Sequence, residues 1–254
     1  LRDTATIGIE RAHLEEDTAK LFHDQNGNTL IDFNRAGTPL VEIVTRPDFQ
    51  TGAEAKIFCQ ELQILLRELQ VSDADMEKGQ MRCEANISVQ EKDMFEIADG
   101  QVRPLSGYKL NNKVEVKNIN SFRAVEKAII FEINRQTKLL QEKKTWPQET
   151  RGWNEDTEET VSQRIKENAT DYRYFPEPDI PPFHPKKLIE KIHLPELPQA
   201  KRLRFHEEYG FSYTDAKQLS ENSAWANFTE KVMSELIAWL SDLPEINKGT
   251  GRIL

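Results

Sequence analysis

Apolar positions along the chain recur with two periods, one suited to strands and one to helices. Residues 4–10 (Thr-Ala-Thr-Ile-Gly-Ile-Glu) are strand-like, and Leu40-Val-Glu-Ile-Val44 is a run of strand formers with a single carboxylate, Glu42, at its centre. That run is entered through a tight turn, Arg35-Ala-Gly-Thr-Pro39. Thr51-Gly-Ala-Glu54 has capping-box spacing, and Ile57, Phe58, Leu62, Leu65, Leu66 and Leu69 follow at helical intervals, which predicts a scaffold helix. Between Met81 and Val89 the residues alternate. Met81, Cys83, Ala85, Ile87 and Val89 face a core, and Arg82, Glu84, Asn86 and Ser88 share the other face. Lys113-Val-Glu-Val-Lys117 repeats the device, with Lys113, Glu115 and Lys117 on one face. Ser121 is then placed to cap a long helix from Phe122 to about Lys143.

Residues 145–160 read as a polar, turn-rich segment carrying two tryptophans. In the segment from Asp171 to Pro182, Pro176, Pro178, Pro181 and Pro182 force an extended path that ends the first domain. From Pro185 onward the pattern is helical, including Pro198 to Tyr209 and Ala224 to Leu243, the latter with Trp225, Phe228, Val232, Leu236 and Trp239. The chain is therefore expected to be α+β, with a mixed domain over 1–183 and helices over 184–254.

A chain of 254 residues can bury a sizeable core, and 30% charged against 37% hydrophobic residues fits a soluble protein. No apolar run approaches the roughly 18 residues that span a bilayer, and no secretion signal opens the chain. Cys59 and Cys83 both sit in apolar patterns, so reduced thiols in a cytosolic-type compartment or organellar matrix are expected. The net charge of −9 excludes holding nucleic acid by bulk attraction. Any RNA contact must come from local cations or a partner. The ends of the chain read as cuts, so a fragment is expected.

A carboxylate flanked by Val and Ile is costly unless a cation, a metal or hydrogen bonds hold it. A second acidic cluster, His13-Leu-Glu-Glu-Asp17, lies upstream of Glu42. Two readings fit: a site for a hard cation such as Mg²⁺, or an edge strand with a salt-bridged glutamate. The two polar-faced strands likewise read either as the floor of a cleft or as an exposed face with weak cross-strand ion pairs. No phosphate-binding loop, dinucleotide fingerprint or nucleophile elbow is present. His23, His184, His193 and His206 lie in polar contexts typical of the surface. Glu15, Glu16 and Glu42 together with Arg35, Arg82, Lys113 and Lys117 suit phosphoryl transfer, where charge stabilisation does most of the work.

Six collinear motifs carry a resemblance. They are His13 to Asp17, Asp32 to Val44, Arg82 to Ser88, Glu115 to Phe122, Gln148-Glu-Thr-Arg151 and Asp171 to Asp179. Together they resemble the B subunits of tRNA-dependent amidotransferases over nearly the whole chain, weakening after about residue 200. The resemblance implies a cradle similar to the glutamine synthetase catalytic domain, an antiparallel sheet backed by helices, followed by a small all-α domain. It implies a protein that binds Glu-tRNA(Gln) or Asp-tRNA(Asn) and, with ATP and Mg²⁺, phosphorylates the attached side-chain carboxylate. Ammonia from an amidase A subunit then displaces phosphate, and a small C subunit clamps the other two together. Carried over by position, Glu16 and Glu42 look like Mg²⁺-binding and catalytic carboxylates. Arg35, Arg82, Glu84, Asn86, Lys113, Glu115 and Lys117 look like cleft-lining residues. The resemblance further implies that an N-terminal segment and a C-terminal tail domain lie outside this chain.

Two other functions compete. One is a non-catalytic tRNA-binding or assembly module that keeps the cradle as scaffold. The other is a stand-alone carboxylate–amine ligase for a small molecule. Lys201, Arg202 and Arg204 are either an outer RNA-binding patch or a solvated helix face.

Overall fold

The computed structural model describes residues 4–165 and 184–242. In chain order the elements are β1 (Ile9–Glu16), β2 (Lys20–His23), β3 (Thr29–Asp32), β4 (Pro39–Thr45), α1 (Gly52–Glu68), β5 (Cys83–Ile87), β6 (Phe95–Ala98), β7 (Gln101–Pro104), β8 (Val114–Ile119), α2 (Phe122–Gln141), β9 (Glu149–Asn154), β10 (Glu159–Ile165), α3 (Lys186–Ile189), α4 (Pro198–Tyr209), α5 (Tyr213–Ser220) and α6 (Ser223–Ser241). A mixed α/β arrangement compatible with α+β results. No described helix is long and apolar enough to cross a membrane.

Among the described residues, three antiparallel two-stranded ribbons, β1–β4, β2–β3 and β6–β7, accompany one four-stranded sheet of order β10-β9-β8-β5. β9 runs antiparallel to β10 and parallel to β8. The wholly antiparallel sheet implied by the resemblance is thus corrected to a mixed one. β9 reaches β8 through α2, a crossover long enough for parallel pairing. Glu84 lies beside Lys117 and Gln90 beside Asn111, so β5 runs antiparallel to β8.

Residues 145–160 are the largest departure from the expected pattern. They supply β9 and the start of β10, central and edge strands of the main sheet, rather than a turn-rich connection. The reason lies in what faces inward. Val114 and Val116 are fully buried on one face of β8, and their register partners on β9 are Glu149 and Arg151. Helix α2 meets that face with Glu132 and Gln136, both wholly buried. The Arg135 guanidinium donates to both Glu132 oxygens at 2.6–3.1 Å, and Arg151 reaches Glu132 at 3.7 Å and Glu149 at 3.0 Å. The Thr160 hydroxyl donates to Glu132, and Gln136 joins the Glu132 carboxylate to the Ile87 carbonyl and the Val89 amide. Strand β9 therefore turns charge toward the core, where a hydrophobic pattern cannot announce it. Trp146 and Trp153, 5% and 6% exposed, complete the packing, with Phe131 edge-on to Trp153.

Residues 4–8, expected to be strand, are not strand, and β1 begins only at Ile9; the other expected elements among the described residues form. The Thr51 hydroxyl accepts from the Glu54 amide, and Glu54 reaches back to the Gln50 amide, closing the N-terminus of α1. Helix α2 covers the predicted range to within two residues of its C-terminus, and α4 matches its predicted span. Asn222 caps α6 by accepting from Ala224 and Trp225, and Gly210 ends α4 at φ +77°. A small core of Phe205, Ala216 and Ala226, joined by Tyr209, Phe211 and Leu219, holds the C-terminal helices.

The chain divides into two compact units. Among the described residues one comprises 4–56, 84–119 and 123–165, and the other 57–83, 120–122 and 184–242. The linear boundary expected at 183, with its proline-rich segment, lies outside the described residues. What is described departs from a linear division because residues 57–83 group with the C-terminal helices. The Lys201 ammonium donates to Glu68 at 2.8 Å, and Arg202 donates two bonds to Glu61 at 3.1–3.2 Å. Lys201 and Arg202 are 6% and 4% exposed, so neither expectation for them holds. They are buried ion-pair partners, not an outer RNA patch or a solvated face. Arg204 is held by Glu196 and Glu230.

Removing the carboxylate that anchors α2 leaves two guanidinium groups without their buried partner. Glu132→Ala is expected to lower stability by about 3–5 kcal/mol in chemical denaturation; a loss below about 1 kcal/mol contradicts the buried network.

Candidate active site

The four-stranded sheet has a charged but enclosed face against α2, and its other face is polar, half-exposed along β8, exposed at Glu84 and Asn86 of β5, and buried at Thr150 and Gly152 of β9. On β5 the residues from Met81 to Val89 alternate in exposure as the sequence predicts, with Arg82, Glu84, Asn86 and Ser88 outward. On β8 the outward set is Glu115 and Lys117, and Lys113 precedes the strand. The Lys117 ammonium donates to Glu84 at 3.0 Å and lies 3.6 Å from Glu115. Glu115 in turn accepts from the Thr150 hydroxyl at 2.9 Å. Of the expected cleft residues, the structure thus brings Glu84, Glu115 and Lys117 together, with Asn86 on the same face. Arg82 and Lys113 are exposed at opposite ends of the β5–β8 pair.

Sequence reasoning did not single out Thr150, Gly152 or Asn118 as site residues. Gly152 is the register partner of Lys117, and a side chain there would strike the Gln163 amide and approach the Asn118 amide to 3.0 Å. Asn118 itself adopts φ +62°, a conformation Asn tolerates better than other side chains. Gln163 marks a bulge where β10 slips between Ser162 and Arg164. The motif Gln148-Glu-Thr-Arg151 was the signal for Thr150, but only the strand register shows which side it faces.

Strands β1 and β4 hold the other expected residues. The turn before β4 forms as predicted, with Thr38 donating to Arg35 and Gly37 at φ +80°. Arg35 is ion-paired to Asp17 at 2.8 Å, which ties that turn to the end of β1. Glu42 lies opposite His13, and Glu16 opposite Pro39. Three positions apart in register, Glu16 and Glu42 point to opposite faces of the ribbon, so the expectation that they share one cation is corrected. Glu42 instead accepts from Arg11 at 2.8 Å, with both side chains well exposed. The residue on Glu42's face is Glu15, whose Oε1 is buried without a hydrogen-bond partner among the described residues. No group of three acidic, His or Cys side chains among the described residues meets closely enough to hold a metal ion.

What the sheet face offers is a row of fixed opposite charges on rigid strands. Lys117 is clamped between two carboxylates, and Glu115 is oriented by a hydroxyl. Burial works against the Lys117 charge, but bonding to Glu84, then its charge, then Glu115, outweighs it and raises the ammonium pKa above the ordinary lysine value. A group that holds its proton more tightly when folded stabilises fully below its unfolded pKa of about 10.4, and the contribution is lost as pH rises through the raised folded value. Lys117→Met is therefore expected to flatten the alkaline loss of stability in urea melts. At neutral pH the cost stays under about 1 kcal/mol, because the pair is more than a third exposed. Parallel alkaline curves for the two proteins contradict the clamp.

Comparison with known proteins agrees with these motifs. Residues 2–190 match the GatB/GatE catalytic domain. Among curated proteins, the chain is similar to the B subunit of the aspartyl/glutamyl-tRNA(Asn/Gln) amidotransferase of Roseiflexus castenholzii, 46% identical over 231 residues, covering 90% of this chain and 45% of that protein. The B subunit of the same enzyme from Dehalococcoides mccartyi is 47% identical over 236 residues, with 90% and 45% covered. That from Caldanaerobacter subterraneus is 45% identical over 235 residues, with 91% and 46% covered. The chain spans about half the length of the curated relatives it matches. A match over residues 2–190, most of the chain, places this protein in the GatB/GatE catalytic-domain family.

Proposed function

We propose that this chain carries the catalytic half of a tRNA-dependent amidotransferase B subunit, acting on Glu-tRNA(Gln) or Asp-tRNA(Asn) with an amidase A subunit and a small C subunit. Its relatives are named for that substrate pair, and its polar sheet face has the charge pattern such a reaction uses. The single observation that carries the reading is the Glu84–Lys117–Glu115–Thr150 row.

In the proposed reaction an oxygen of the substrate side-chain carboxylate attacks the γ-phosphorus of ATP, giving an acyl phosphate and ADP. The lone pair of ammonia then attacks the acyl carbon, phosphate leaves, and loss of a proton yields the amide. Both steps spread negative charge over phosphoryl oxygens, so fixed donors matter more than a protein nucleophile. In this reading Lys117 presents a charge locked in place, and Glu115 is held by Thr150 toward the reacting groups. Arg82 and Lys113, with no ion pair to a described carboxylate, offer positive charge to phosphate oxygens of nucleotide or tRNA. Mg²⁺, entering as the counter-ion of ATP, would supply charge neutralisation to the phosphates. Glu15 and Glu42, which share a face, are the carboxylates of the β1–β4 ribbon that fit such an ion better than Glu16 does.

The test uses the full-length protein assembled with its A and C subunits. Glu115→Gln is expected to reduce phosphate release and amide formation on Glu-tRNA(Gln) by at least 100-fold, a loss of about 2.7 kcal/mol in transition-state stabilisation, while glutamine hydrolysis by the A subunit persists. Free glutamate is expected to give no phosphate release above background. Full amide formation by the variant favours the scaffold reading, and efficient use of free glutamate favours a small-molecule ligase.

A further inference from the structure

Cys59 and Cys83 are far apart in sequence and adjacent in space. Cys59 lies in the middle of α1 and Cys83 begins β5, yet their Sγ atoms are 3.7 Å apart. Both thiols are free, and both residues are neither fully buried nor exposed. A disulfide needs its sulfurs about 2.05 Å apart, so the approach still required is smaller than one carbon–carbon bond length plus ordinary thermal motion. Neither thiol takes part in the polar sheet face. Cys83 directly precedes Glu84, the carboxylate that holds Lys117.

We propose that Cys59 and Cys83 form a reversible dithiol/disulfide modification site, oxidised by small disulfides of the glutathione class, and that the bridge ties the entry of β5 to α1. As a thiolate, Cys83 accepts a hydrogen bond from Cys59, which lowers its pKa, while that same contact and burial raise Cys59. Cys83 is therefore the first nucleophile. Its thiolate attacks one sulfur of the small disulfide, forming a mixed disulfide and releasing one small thiolate. Cys59, giving up its proton, attacks the Cys83 sulfur, forms the internal bridge and releases the second small thiolate. The two protein protons pass to the two released thiolates. Two cysteines are oxidised and one small disulfide is reduced to two thiols. The chain between the cysteines becomes a closed loop, which restricts the unfolded ensemble and stabilises the fold.

The proposal does not depend on the proposed function, and its test is made on the chain itself. The protein is incubated with oxidised glutathione under native conditions, remaining thiols are alkylated after denaturation, and the product is read by mass spectrometry. The expected product is a monomer that has lost two hydrogens, carries no glutathione, takes up no alkylating agent and returns to two free thiols on reduction. The bridged form is expected to melt at higher temperature than the reduced form. Cys59→Ser and Cys83→Ser are each expected to stop at a single glutathione adduct with no such rise. Wild-type protein that accumulates stable adducts or intermolecular dimers overturns the proposal. So does native protein whose thiols both stay free when the same reagent modifies the denatured chain. The wild-type measurement decides the matter even if a serine variant fails to fold.

Discussion

The buried carboxylate of Glu132 is the interaction on which the main sheet depends. It sits at zero exposure between Arg135 of its own helix, Arg151 of β9, the Thr160 hydroxyl of β10 and Gln136, which in turn holds the backbone at the end of β5. An isolated buried charge is prohibitively costly, and a buried pair repays its desolvation only when the remaining donors are filled. Here they are filled from two strands and the helix at once, and Gln136 carries the network on to the end of β5. The network is thus less a source of net stability than a device that fixes one register. A slip of β9 by one residue would turn Arg151 away from Glu132 and leave charge unpaired in the core.

That constraint decides what the other face can be. With Glu149 and Arg151 turned toward α2, pleating turns Thr150 and Gly152 to the other face, beside Glu115 and Lys117. The hydroxyl that orients Glu115 and the glycine that admits the Asn118 and Gln163 amides are set by the same register that seats the helix. A site of this kind gains precision from rigid strands rather than from mobile loops. Structural charge on one side and candidate chemistry on the other are two consequences of one alternation.

The parts of this arrangement legible in the sequence were those where side-chain polarity and burial agree. The alternation from Met81 to Val89, the capping box before α1 and the span of α4 all follow from local pattern. Glu84, Glu115 and Lys117 could be placed on shared faces for the same reason. Strand β9 was illegible because its inward residues are Glu149 and Arg151, and pattern reading assigns charge to solvent. Register was the second gap. Glu16 and Glu42 lie on either side of the well-predicted turn in sequence, but whether they meet depends on counting pairs across the β1–β4 ribbon, and His13 rather than Glu16 falls opposite Glu42. The third gap was long-range pairing. Lys201 and Arg202 look like a basic patch until Glu61 and Glu68 of α1 are brought beside them.

The central claim is that the outward face of β5, β8 and β9 is where the phosphates of the nucleotide are held. The most direct measurement is a crystal structure of the full-length protein, assembled with its partner subunits, in complex with Mg²⁺ and a non-hydrolysable ATP analogue. The account predicts phosphate oxygens within hydrogen-bonding distance of the Lys117 ammonium or the Thr150 hydroxyl, with Glu84 and Glu115 reaching them only through the cation. A nucleotide bound elsewhere, with Lys117 still closed between Glu84 and Glu115 and solvent over that face, would contradict it.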